Sequence, residues 1–147
     1  MRKEIKTEIT INANPQKVWE VLTELDQYPK WNPFMKEIYG ILRVGERLKV
    51  IIQPEGSSKM TFKPIILALE ENKTLKWMGK LVVTGLFDGT HLFHLIDNGN
   101  GTTTFKQSEV FKGILVGLFN LANTKTGFDR MNIELKKRCE TKDRIAV

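Results

Sequence analysis

Residues 3–12 alternate strictly, with Ile5, Thr7, Ile9 and Ile11 on one face and Glu4, Lys6, Glu8 and Thr10 on the other. A period of two predicts a strand with one buried and one wet face. At Asn14-Pro15 the period changes. Asn14 is a suitable N-cap and Pro15 fits a first helical position, and Val18, Leu22 and Leu25 then form an apolar stripe flanked by Trp19. Pro29 and Pro33 stop that helix and leave 26–34 as an aromatic-rich turn or short helical corner. Strands are predicted near 35–42, 46–53, 59–69 and 74–83, separated by Gly45, by the run Pro54-Glu55-Gly56-Ser57-Ser58, and by Glu71-Asn72. Pro64 inside the third argues for a bulge or an edge there. Residues 88–96 and 102–111 read as a hairpin around Asp97-Asn98-Gly99-Asn100-Gly101. From about 114 to 142 there is no proline, and Leu121, Phe128, Met131 and Leu135 recur at helical spacing, which predicts one long helix.

The expected order is strand, helix, about six strands, long helix. Strands joined by short turns run antiparallel, and a single long helix buries its stripe only against the apolar face of the sheet. The predicted class is α+β: a curved antiparallel sheet of about six to seven strands around a C-terminal helix, in one domain spanning 1–147. Gly117 and Gly127 are expected to widen a space between helix and sheet, where a ligand would sit.

The hairpin register sharpens this. A loop at 97–101 pairs Phe93 with Phe105 and His91 with Gln107, with Glu109 on the diagonal. It keeps Phe93, Leu95, Phe105 and Phe111 on one face, and that face then also carries His91, Gln107 and Glu109. Two readings stand side by side: a satisfied buried polar network, or polar groups orienting the end of a ligand in an apolar cavity. A His91–Glu109 pair is also suited to acid/base work, although carbonyl chemistry needs an oxyanion donor that the sequence does not identify. Trp31 and Phe34, in the proline-bound corner, are candidate lid residues. Phe87, in the glycine-flanked stretch Gly85-Leu86-Phe87-Asp88-Gly89, is a candidate gate. Phe93, Phe105, Leu118 and Phe119 complete the expected wall.

Composition adds exclusions. Hydrophobic residues make up 41% and charged residues 27% of 147, ordinary for a globular chain. A lone Cys139 excludes a disulfide framework and a multi-cysteine zinc site. His91 and His94 lie three apart on a strand, so they face opposite ways and cannot share one metal ion. No metal and no cofactor is expected. With 23 Lys plus Arg against 17 Asp plus Glu the net charge is +6, densest at Lys136-Lys137-Arg138. This reads as a solvated helix face with cations at a helix C-terminus rather than a nucleic-acid surface; anionic-membrane contact is a lesser reading. Cys139 is expected in exposed, basic helical turns that lower its pKa modestly. No apolar run reaches the ~18 residues of a membrane span and no apolar leader opens the chain, so a cytoplasmic setting is expected.

Four stretches, taken in order, resemble a known family: Pro15-Gln16-Lys17-Val18-Trp19, Tyr28-Pro29-Lys30-Trp31-Asn32-Pro33-Phe34, Gly89-Thr90-His91-Leu92-Phe93-His94-Leu95, and Phe105-Lys106-Gln107-Ser108-Glu109-Val110-Phe111-Lys112-Gly113. Together they resemble the START-like superfamily with its helix-grip fold, in particular the bacterial polyketide cyclase/dehydrase and lipid-transport branch. The resemblance implies the fold and a hydrophobic partner, since relatives include hydrophobic-ligand carriers, aromatase/cyclases and chaperone-associated domains. No inward arginine matches the aromatase/cyclase type. The expected function is binding of a lipid- or polyketide-like small molecule. The alternatives are a cyclase or dehydratase using the same cavity, or a protein-interaction module whose interior is filled.

Overall fold

The computed structural model describes residues 1–80, 85, 87–118 and 120–141. Strand β1 (Arg2–Ile11) leads into α1 (Pro15–Thr23), a short 3-10 turn (Leu25–Gln27) and the four-residue α2 (Tyr28–Trp31). Six strands follow α2 before the terminal hairpin's second arm: β2 (Met35–Tyr39), β3 (Lys49–Ile52), β4 (Met60–Phe62), β5 (Ile65–Glu70), β6 (Thr74–Lys80) and β7 (Asp88–Asp97). Then come β8 (Thr103–Lys112), a 3-10 turn (Val116–Leu118) and α3 (Ala122–Glu140). As expected, Asn14 caps α1, its Oδ1 accepting from the Lys17 amide at 2.9 Å.

The strands form a five-stranded antiparallel sheet, β1-β8-β7-β6-β5, and a three-stranded sheet, β2-β3-β4. The strand count among the described residues is eight rather than six or seven because Pro64 divides the expected 59–69 strand. Before it, β4 pairs with β3; after it, Ile65 bridges to Arg47 and the chain enters the larger sheet. Pro64 cannot donate to a ladder, but its carbonyl still accepts from Leu48 at 2.9 Å and ties the two sheets together.

Helix α3 packs chiefly on β1, with α1 beside it. Its inward stripe is Phe128, Met131, Asn132, Leu135 and Cys139. The expected helix start at 114 is corrected to 122. The apolar run before it is a connection pinned by tertiary hydrogen bonds, Gly113 to the Met1 carbonyl at 3.1 Å and Ile114 to the Gly85 carbonyl at 3.2 Å. Asn120 then captures the Ala122 amide with its side chain at 2.9 Å, so the helix begins there.

The expectations for Gly117, Gly127 and Cys139 are corrected as well. Gly117 and Gly127 do not widen a void: Met1 lies over Gly117, and the Phe34 ring lies against Gly127. Cys139 is buried, not exposed, and burial, the dominant influence, pushes its thiol up to about 12. Since the thiolate is the reactive form, iodoacetamide at pH 8 should alkylate the native protein more than about a hundredfold more slowly than the urea-unfolded chain. Equal rates, read by mass spectrometry, would place the thiol at the surface. The sign for stability follows: the unfolded chain loses this proton first, so stability falls as pH rises from the ordinary thiol range toward 12.

Candidate functional site

The β7–β8 register brings the polar residues closer together than the sequence suggested. Asp97 remains in the strand opposite Thr103, and the five-residue loop is 98–102, closed by the Asn98 amide on the Thr102 carbonyl at 3.1 Å. The expected pairs Phe93–Phe105 and His91–Gln107 are thereby corrected to Leu95–Phe105, Phe93–Gln107 and His91–Glu109. A shift of two residues preserves every face, so the inward set is unchanged, while Glu109 moves from the diagonal to the position directly opposite His91.

These residues form one hydrogen-bonded line. Glu109 Oε1 lies 3.2 Å from His91 Nδ1, and His91 Nε2 lies 2.9 Å from Gln107 Oε1. Gln107 Nε2 donates to Asn132 Oδ1 of α3 at 2.8 Å and leans toward the Phe128 carbonyl at 3.5 Å. Asn132 Nδ2 donates to Thr7 Oγ1 at 2.8 Å, and Thr7 Oγ1 donates to the Gln107 carbonyl at 2.7 Å.

The far end of the line fixes its direction. A backbone carbonyl only accepts, so the Thr7 hydroxyl proton is committed to Gln107, and Thr7 must accept from the amide nitrogen of Asn132. Asn132 then presents its oxygen to Gln107, and Gln107 presents its oxygen to His91. Nε2 of His91 therefore carries a proton, and the Nδ1–Oε1 contact is a hydrogen bond when either atom carries one. The imidazole is held in this orientation by Phe93, Phe128 and Trp77, with ring centroids at 4.4, 4.9 and 5.5 Å. Gln107 is 0% exposed, and the side chains of His91 and Glu109 are 3% and 17% exposed; the line is half-buried at both ends, Thr7 and Glu109, and it is the Glu109 end that faces the cavity.

That space is a cavity of about 280 Å³ between the two sheets and the start of α3. Its floor is Trp77, Gly79, Gly89, His91, Glu109 and Phe111; its side is Met35, Val50, Ile52, Met60 and Phe62; Phe34, Leu121 and Thr124 close the helix end. A Cβ on Gly89 would stand 2.3 Å from Glu109 Oε2, so a side chain there would displace the carboxylate. His94 points to the other face, its Nδ1 3.1 Å from Thr74 Oγ1.

Of the residues singled out in the sequence, Phe34, Phe87, His91 and Glu109 line the cavity, and Gln107 stands behind His91. Phe93 and Phe105 are fully buried and support the polar line from beneath instead of forming the wall. Trp31 lines a separate depression with Lys30, Glu134, Lys137 and Arg138. Leu118 is 79% exposed and is not part of the wall, because the segment that carries it is a connection rather than the first turn of α3. Phe119 lies outside the described residues. The small-sheet wall was missed, since alternation marks a core face without saying which sheet it faces. Asn132 was missed too, although a polar residue on the Phe128–Leu135 stripe was a readable signal.

Solved structures share this fold. A START superfamily protein from Mycobacterium smegmatis superposes with TM-score 0.73 at 15% identity, over 93% of this chain and 97% of that one. A protein from Chromobacterium violaceum gives 0.72 at 19%, covering 95% and 98%. A norcoclaurine synthase point mutant from Thalictrum flavum, in complex with a transition-state analogue, gives 0.69 at 17%, covering 95% and 94%. No curated protein matches the chain significantly. No helix among the described residues is long and apolar enough to cross a membrane. The family described as polyketide cyclase / dehydrase and lipid transport matches residues 2–140. With nearly its whole length matched and the fold in agreement, the chain belongs to that family.

Proposed function

We propose that this protein binds a small hydrophobic or amphipathic molecule, lipid- or polyketide-like, in the cavity between the two sheets and α3. The observation that carries this reading is the pairing of an apolar lining with one convergent polar group, Glu109 backed by His91, at a volume near the lower end of the ~300–1,000 Å³ usual for ligand sites. Burial of the ligand's apolar body supplies the affinity, at about 25 cal/mol per Å² before the entropic cost of association.

The test is uptake of naphthalene, followed by its own fluorescence, together with native mass spectrometry of freshly purified protein for a retained lipid. Val50 is buried and lines the cavity. Val50→Phe places a ring in the void, so naphthalene affinity should fall at least about tenfold while the unfolding midpoint in urea stays close to wild type. Undiminished uptake by this variant would put the ligand elsewhere.

A second reading is favoured by the same pair. A carboxylate 3.2 Å from an imidazole at a cavity wall suits proton transfer on a polyketide-like substrate, as in a cyclase or dehydratase. Turnover of such a substrate, abolished by Glu109→Leu, separates enzyme from carrier.

A further inference from the structure

The protonation pattern of the polar line restricts what the ligand presents to it. We infer that the polar end of the ligand is a hydrogen-bond donor, an alcohol, phenol or amine, that meets Oε2 of Glu109. This rests on the cavity reading above.

Nε2 of His91 gives its proton to Gln107, an assignment forced from the Thr7 end of the line. The 3.2 Å contact between Nδ1 and Oε1 then has two arrangements. Either the imidazolium donates to a carboxylate, or a carboxylic acid donates through Oε1 to a neutral ring. A third, with a lone pair on each atom, is repulsive. In both allowed arrangements Oε2 carries lone pairs and no proton, so the face offered to a ligand accepts whichever atom holds the shared proton.

Position supports this. Oε2 lies over the bare Cα of Gly89 on the cavity floor and makes no hydrogen bond among the described residues. Both nitrogens of His91 are engaged, so the ring has no proton to give a ligand. Of the remaining polar residues on the lining, Ser57, Asn120, Asn123 and Lys80 are exposed and Thr124 is half-buried at the helix end. Lys80 is the feature that would reverse the preference by holding an anionic end.

Four ligands of one size separate these cases: 2-naphthol, 2-methoxynaphthalene, naphthalene and 2-naphthoate, titrated at pH 7. The naphthol differs from its methyl ether by one proton, and a hydrogen bond to a charged or charge-sharing acceptor corresponds to about tenfold in affinity or more. The expected order has 2-naphthol at least about tenfold tighter than the ether, with 2-naphthoate the weakest. In Glu109→Met the preference for naphthol over its ether should shrink below about twofold while naphthalene binding persists, which also reports that the variant is folded. Equal affinities for naphthol and ether in the wild type, or a tenfold preference surviving in Glu109→Met, overturns the inference and leaves the cavity reading standing. Tightest binding of 2-naphthoate overturns it in favour of Lys80. Failure of all four to bind removes the cavity reading as well.

Discussion

Gln107→Leu is expected to lower the unfolding free energy by about 3 kcal/mol, the largest loss of any single change in the polar line. Leucine nearly matches the volume, so little of the effect comes from a cavity. The cost arises because Gln107 serves two partners at once: it accepts from His91 Nε2 and donates to Asn132 Oδ1. Each orphaned buried group costs about 1–3 kcal/mol, and at 0% exposure water does not replace the missing partner. Glu109→Leu should cost less, because the Glu109 side chain is 17% exposed and the cavity admits water to Nδ1. Chemical unfolding with an unchanged m-value is the measurement. A double variant, His91→Phe with Gln107→Leu, should lose less than the two singles summed, since removing both partners leaves fewer orphans. A loss below about 1 kcal/mol for Gln107→Leu would mean that the line is not intact in solution.

The same residues show what the sequence carried. Alternation placed His91, Gln107 and Glu109 on one buried face, and parity survived a register error of two residues because side-chain direction repeats every two. The register itself was not legible. Five-residue loops at 97–101 and at 98–102 both satisfy the hydrophobic pattern, and the difference is a backbone bond from Asn98 to Thr102. The start of α3 failed for a related reason. The stretch from 114 is apolar enough for a buried helix, but hydrogen bonds from Gly113 to Met1 and from Ile114 to Gly85, distant in sequence, hold its start as a connection. Pro64 was read as a bulge or an edge within one strand, whereas its consequence, a change of sheet, depends on the Arg47–Ile65 bridge, which local pattern does not encode. One side of the cavity, Met35, Val50, Ile52, Met60 and Phe62, comes from that second sheet, so the wall was the least legible part of the site. Its polar end was the most legible.

Gly127→Ala is expected to destabilise the protein by about 1–3 kcal/mol, against the direction that helix propensity alone predicts. Inside a helix, alanine normally gains about 0.5–1 kcal/mol over glycine. Here a Cβ would stand 2.3, 2.7 and 2.9 Å from Cδ1, Cε1 and Cγ of Phe34. That ring is not free to yield: it is 2% exposed, packs edge-on to Phe128 at 5.6 Å, and follows Asn32, whose Oδ1 accepts from the Phe34 amide at 3.0 Å. The direction left open is the cavity, which Phe34 lines. Stability and uptake should therefore fall together in this variant, with naphthalene affinity reduced as the ring moves into the void. Combining it with Phe34→Leu, whose smaller side chain relieves the contact, should recover part of the loss relative to Gly127→Ala alone. A Gly127→Ala protein that melts higher than wild type would show that Phe34 does not rest on α3. The helix end of the cavity would then have to be rebuilt around another residue.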